Sequence, residues 1–409
     1  MNRLVLIGNG FDLAHGLHTS YADFINWYWD QRMRGFQNNH SRVSEDPLCH
    51  FKIKYDDTWN TFAFAYSKGY FNSKTDIGKE VIHFIINNKQ LFSTTLSPLL
   101  ERIIDGIESK TWAGIEQDYY DLLVKYALEH KLSEEVQSLN NQLDFLKEKL
   151  IEYLIEASDK QITIINSIQQ AIFDPIKEED VAIANLKQLQ EHKSYWEAYP
   201  ERNNELFSIV RKYGHDTTQC EGSVHYWRKD QPNGSTKYPY AFLLPKDIML
   251  LNFNYTHTAQ IYRKNYDSFE EIHIHGTVDT PNSIIFGYGD ELDDRFKELK
   301  THKNNECLAN VKSIRYLEAS NYRKMLSFIE SAPFQVLIMG HSCGMSDRTL
   351  LNTVFEHSNC ISIKPYYYKK DDDTDNYIEL VQNISRNFND MKLMRDRVVN
   401  KTQCEPLVK

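Results

Sequence analysis

None of the six cysteines (Cys49, Cys220, Cys307, Cys343, Cys360, Cys404) stands in a C-x-x-C pair, so neither a zinc cage nor a disulfide framework is indicated and the thiols read as reduced. No apolar run approaches the roughly 20 residues needed to span a bilayer. Met1-Asn2-Arg3 leads into a short apolar stretch rather than a signal-peptide core. Basic charge is not in excess: the formal net charge is −10, which argues against general affinity for nucleic acid, because such binding rests on Lys and Arg neutralising phosphate. No internal repeat is visible, and the one biased tract, Asp371-Asp372-Asp373, reads as a solvated loop. The expectation is a soluble, cytoplasmic globular protein that uses neither a membrane nor nucleic acid.

The 409 residues are enough for about two or three compact units. Hydrophobic (41%) and charged (25%) residues are ordinary for a globular chain, whereas 25 Tyr and 21 Phe make aromatics abundant, as expected of core and cleft walls. Leu4-Val5-Leu6-Ile7 reads as a fully buried strand of a parallel sheet. Residues 20 to about 244 read as helices, with candidates at Leu99–Ile107, Glu116–His130, Ser133–Ala157 and Asp180–His192. Val136, Leu139, Leu143, Leu146, Leu150 and Tyr153 alternate steps of three and four, which gives one apolar stripe for packing within a domain. The same spacing also suits an oligomer seam.

Short apolar runs then recur at Ile248–Phe253, Ile272–Ile274, Ile284–Phe286, Val336–Met339 and Ile361–Ile363. Helical candidates alternate with them at Thr256–Tyr262, Ala319–Ser331, Thr349–His357 and Tyr377–Asn387. This alternation predicts an α/β fold, a doubly wound and mostly parallel sheet. Its domain would be discontinuous, residues 1–19 plus 245–395, with a large helical insertion over 20–244 and a tail over 396–409.

Ligands of open α/β sheets bind beyond the carboxyl ends of strands, so the residues just after each strand are the candidates. Gly8, Asn9, Gly10 and Asp12 follow the first strand, with Gly16 shortly after, and the fingerprint G-x-G-x-x-G is not matched. Glycines there leave main-chain amides open to a pyrophosphate facing a helix N-terminus. Asp12 would repel phosphate and suits ribose hydroxyls or the helix end. Asn252 and Asn254 follow the second strand. Asn254 offers both a donor and an acceptor for a ribose hydroxyl or water, or caps the next helix. His275-Gly276 presents an imidazole suited to general-base work, or to capping the sheet. His273 and His257 read as structural, and no carboxylate stands at a spacing that would complete a metal site with them. Gly340, His341 and Ser342 could approach phosphate or ribose, while Asp347 reads as a helix cap.

The opening Leu6-Ile7-Gly8-Asn9-Gly10-Phe11-Asp12-Leu13-Ala14-His15-Gly16-Leu17, with Thr19-Ser20-Tyr21, resembles the hallmark of the bacterial abortive-infection AbiH family. Asn252-Phe253-Asn254-Tyr255-Thr256, Ile274-His275-Gly276, Ile285-Phe286-Gly287-Tyr288-Gly289 and Gly340-His341-Ser342 resemble it too. More distantly, the order of motifs is similar to sirtuins and sirtuin-like NAD-cleaving defence proteins. That likeness implies a sirtuin-like Rossmannoid sheet, with His275 as the catalytic histidine, Asn254 on the ribose side, and Gly8–Asp12 and Gly340–Ser342 holding the dinucleotide. The paired cysteines of a deacylase zinc module are absent, which favours NAD hydrolysis over deacylation.

The resulting expectation is an anti-phage protein that hydrolyses NAD as substrate, with no resident cofactor or metal. A phage product would be its trigger, and a homo-oligomer is an open alternative to a monomer. The other readings are a nucleotide-binding sensor without turnover and, last, a nuclease using the histidines.

Overall fold

The computed structural model describes residues 1–38, 42–55, 58, 60, 77–105, 112–128, 134–187, 191, 244–263, 269–370 and 374–408. Cys220 and the run at 371–373 lie outside them. A five-stranded sheet holds β1 (Asn2–Ile7), β5 (Ile248–Asn252), β6 (Phe269–His273), β7 (Phe334–Met339) and β8 (Cys360–Tyr366) in the order β6-β5-β1-β7-β8, every pairing parallel. In chain order of the sheet strands this is 3-2-1-4-5, so the order reverses between β1 and β7 and opens a crevice at their carboxyl ends.

All six residues of β1 are buried because each face of the sheet carries a layer. Leu4 and Leu6 pack with Met249, Val336 and Ile338 beneath the helices Asn321–Ser331, Arg348–Phe355 and Tyr377–Arg386. On the other face, Val5, Ile7 and Leu250 pack with Ile168, Ile172 and Phe173 of the helix Asn166–Phe173. The fold is therefore α/β, with a parallel sheet covered on both sides.

Between β1 and β5 lie the helices Tyr21–Asn38, Ile77–Asn87, Pro98–Asp105, Trp112–Leu128 and Glu134–Ser158. The six stripe residues of the last are all buried in the core of this region, so they pack within the chain. The insertion is not purely helical. β2 (Val43–Glu45), β3 (Cys49–Ile53) and β4 (Phe92–Leu96) form an antiparallel sheet whose Cys49, Phe51 and Ile53 alternate inward. Five residues alternating in this way are a strand signal too short to stand out among helices.

Other expectations are corrected. Ile284–Phe286 is buried but forms no strand: the Ile285 amide donates to the His275 carbonyl (2.9 Å), which ties the segment to the turn just past β6 rather than into the sheet. Thr258–Tyr262 is a 3-10 turn. Over Asp180–His192 the described residues begin with the 3-10 turns Glu178–Asp180 and Ile183–Asn185. There the Asp180 carboxylate is drawn onto buried Lys364 Nζ (2.9 and 3.1 Å). In the segment 396–408, Val398 and Pro406 bridge to Ile363 and Tyr367, and Leu407 joins the sheet core.

Candidate functional site

Beyond the carboxyl ends of β1, β5, β7 and β8 lies a cleft of about 900 Å³. Gly8, Asn9, Gly10, Asp12, Asn254, His275, Gly340, His341 and Ser342 all line it. Sequence-distant loops meet there because parallel strands end on the same side.

The two glycine loops are fitted to one another. A Cβ on Gly8 would stand 2.5 Å from the His341 Cα, and one on Gly340 would stand 2.1 Å from the Phe11 nitrogen, at a φ of +75° that disfavours other residues. The Gly10 amide donates to the Gly340 carbonyl at 2.9 Å. Here the missing β-carbons let two backbones touch, a use the motif did not distinguish from approach to a phosphate. Asn9 Oδ1 accepts from Thr19 Oγ1 (2.7 Å), and Ser20 and Asp23 cap the next helix reciprocally through their side chains and amides. These bonds explain why Thr19-Ser20-Tyr21 accompanies the glycine loop.

Two candidates do not line the cleft. Gly16, at φ +76°, turns the chain after the helix Asn9–Ala14. Asn252 spends its side chain on Glu271 (3.0 Å) and on the Asn254 amide (2.9 Å). Asn254 itself donates Nδ2 to the Gly8 carbonyl at 3.0 Å, tying the β5 loop to the β1 loop. Asp12 is buried; Thr256 donates to its Oδ2 at 2.6 Å, and burial lifts its carboxyl to about 6. The Thr256 hydroxyl thus serves Asp12.

His275, only 4% exposed, points Nε2 at Asp347 Oδ1 (3.2 Å) and Tyr316 Oη (3.1 Å). Asp347 stands at the N-cap of the helix Arg348–Phe355, as read from the sequence, but its side chain makes no capping bond. Its carboxylate is claimed instead by His275, by His341 Nε2 (3.7 Å) and by Lys312 Nζ (2.9 Å). Burial by itself would raise Asp347, but the Lys312 charge and the two imidazoles outweigh it and hold the carboxyl well below its ordinary value. Lys312, 1% exposed, also meets Glu116 at 2.8 Å. Burial opposes its charge and the two carboxylates restore it, leaving its pKa raised. Burial, then the neighbouring Glu116 and Asp347 charges, keeps the Tyr255 and Tyr316 phenols protonated.

Sequence reading missed Lys312 and named Glu116 only as the start of a helical candidate. Glu116 arrives from the insertion, on a helix fixed by the Tyr120–Tyr288 ring stack (3.9 Å between centroids), and no spacing announces that meeting. His273 bonds the Asn254 carbonyl through Nδ1 (3.1 Å) and faces Glu271 (3.3 Å), and His257 meets Asp279 (2.6 Å). Among the described residues no group of His, Cys, Asp and Glu is placed to hold a metal ion, and no helix is long and apolar enough to cross a membrane.

A family model, described as Bacteriophage abortive infection AbiH, matches residues 4–368 and so takes in most of β1, the whole insertion and most of the cleft lining. The chain belongs to the AbiH family. No curated protein and no solved structure matches it. Membership supports a role in abortive infection by phage, and the match spans both glycine loops, Glu116, His275 and Lys312.

Proposed function

We propose that this AbiH-family chain hydrolyses NAD to nicotinamide and ADP-ribose during phage infection, acting in the cytoplasm on a phage-derived trigger. One observation carries the reading: an imidazole bonded to a buried carboxylate shares a cleft of about 900 Å³ with the loops at a sheet switch point. That volume is near the upper end of small-molecule sites, room for a folded dinucleotide. Ionised Asp347 can only accept a hydrogen bond, so it favours the proton on His275 Nε2 and leaves Nδ1 as the basic nitrogen. Among the described residues no hydrogen bond ends on Nδ1.

Water attacks the ribose carbon, the C–N bond breaks with its electron pair going to nicotinamide, and the proton of water passes to His275. The pyridinium leaves as a neutral molecule, so no acid is required, and the transition state is oxocarbenium-like. Asn254, its Nδ2 held by Gly8, presents its carbonyl oxygen to the water or a ribose hydroxyl. The Gly8–Asp12 and Gly340–Ser342 loops bind the rest of the dinucleotide, in keeping with the thin sirtuin-like order of motifs.

His275→Ala is expected to lower nicotinamide release by about 10²- to 10⁴-fold, measured chromatographically on purified protein with and without extract of infected cells. Unchanged turnover in that variant removes the assignment. The near-complete burial of His275 favours a second reading, a nucleotide sensor without turnover. Binding of NAD or ADP-ribose with no product, and defence intact in His275→Ala and Asn254→Ala, would select it.

A further inference from the structure

Glu116 and Lys312 are buried charges that the cleavage chemistry does not call upon. Burying an ammonium with two carboxylates costs several kcal/mol of hydration per ion, and an apolar trio of similar volume would often be as stable. Their arrangement is directional. Glu116 meets Lys312 at 2.8 Å, Lys312 meets Asp347 Oδ1 at 2.9 Å, and the same Oδ1 faces His275 Nε2 at 3.2 Å. Glu116 Oε1 also accepts from the Gly287 amide at 3.3 Å, on the segment tied to the His275 carbonyl. The helix that carries Glu116 is docked on that segment by the Tyr120–Tyr288 stack and by Arg295, which reaches Asp121 at 2.8 Å.

We infer that Lys312 and Glu116 are positioning residues: the chain Glu116–Lys312–Asp347 locks His275 in its Nε2–H tautomer, so the seating of the helical insertion decides whether the base can work. Lys312 keeps the shared carboxylate ionised and oriented. Glu116 holds the ammonium from the opposite side, so a shift of the Trp112–Leu128 helix would release Lys312 and then His275. Tyr316 Oη alone cannot replace Asp347, because a hydroxyl both donates and accepts and leaves the tautomer unspecified. The catalytic part of this inference rests on the proposed NAD hydrolysis; the tautomer does not.

The test follows the His275 ring nitrogens by NMR in the ¹⁵N-histidine-labelled full chain, with the signal assigned by its loss in His275→Gln. The wild type is expected to show the Nε2–H tautomer, and Lys312→Met a mixture of the two. A Lys312→Met protein that keeps its thermal transition and an unchanged Nε2–H signal overturns the inference. Glu116→Gln keeps the hydrogen-bonding outline and removes the charge, so it covers the case in which Lys312→Met does not fold. It is expected to shift the tautomer ratio in the same direction, and an unchanged ratio overturns the inference equally. In turnover, Lys312→Met should lose at least about tenfold in kcat, as misplaced tautomers do, with KM for NAD kept. A parallel rise in KM would mark a merely structural role and overturn it. Should the wild type release no nicotinamide, the proposed activity fails while the NMR result still decides the relay.

Discussion

Asp12 holds its carboxyl away from water just past β1, and burial raises it from 3.8 to about 6 against the hydrogen bond from Thr256. Because the folded value lies above the unfolded one, the folded chain keeps a proton between pH 4 and 6 that the unfolded chain gives up. Stability from this group is present below about pH 4 and falls as pH rises through 6, by about 3 kcal/mol for two units. Asp12→Asn should therefore melt higher than the wild type at pH 8 and level with it near pH 4, read from thermal unfolding at both pH values. A lower melting temperature at pH 8 would show that the ionised form is favoured. Gly340 makes the opposite demand, for space: Gly340→Ala puts a carbon 2.1 Å from the Phe11 nitrogen at positive φ. The expected cost is about 3 kcal/mol or more, visible in urea unfolding, and a cost below 1 kcal/mol would mean that the loops part easily. The glycines at 8, 10 and 340 stand out in the sequence, but their partners do not, because close approach is a property of two segments 330 residues apart.

Single elements were legible where their pattern was long. The stripe Val136, Leu139, Leu143, Leu146, Leu150 and Tyr153 is buried as read, along the helix Glu134–Ser158. Leu143→Ala or Leu146→Ala should each cost roughly 2–5 kcal/mol without creating or abolishing an oligomer, checked by denaturation and by sedimentation. A change in association state on truncation would restore the seam reading. The helix Trp112–Leu128 is anchored by the Tyr120–Tyr288 stack, with Arg295 4.9 Å over the Tyr120 ring. A double-mutant cycle of Tyr120→Ala with Tyr288→Ala should give about 1 kcal/mol of coupling, and additivity would show the rings to be passive neighbours. Short elements misled. β2–β4 hid in a helical context, and Ile284–Phe286 imitated a strand because three buried apolar residues satisfy either role.

Across the molecule the sheet and the insertion share their interior. Val278, Ile284, Phe286, Tyr288, Leu299 and Cys307, all after β6, pack into the core built by the insertion helices. The helix Asn166–Phe173, between β1 and β5 in the chain, covers the sheet instead, and its carbonyls at 171 and 172 accept from the Arg3 guanidinium at 3.2 and 2.9 Å. Tyr153 Oη donates to the His18 carbonyl, joining the long helix to the loop beyond the first glycines. With so much shared, heating should give one cooperative transition by calorimetry and by near-ultraviolet circular dichroism alike. Two separated transitions would show that the boundary near residues 19 and 245 divides independent units.

The sequence by itself determined where the strands of the parallel sheet lie, that they alternate with helices, that their ends carry glycine, Asn, His and Ser, and which family the opening resembles. Those properties are local, set by hydrophobic period and by residue type at a strand end. Only the tertiary structure decided that Gly8 and Gly340 touch, that the Asp347 carboxylate serves His275, and that Glu116 crosses from the insertion to Lys312. Charges and backbones meet there through the closure of segments 35 to 330 residues apart. No one-dimensional pattern encodes such a meeting, because its energy depends on burial that exists only once the chain has folded.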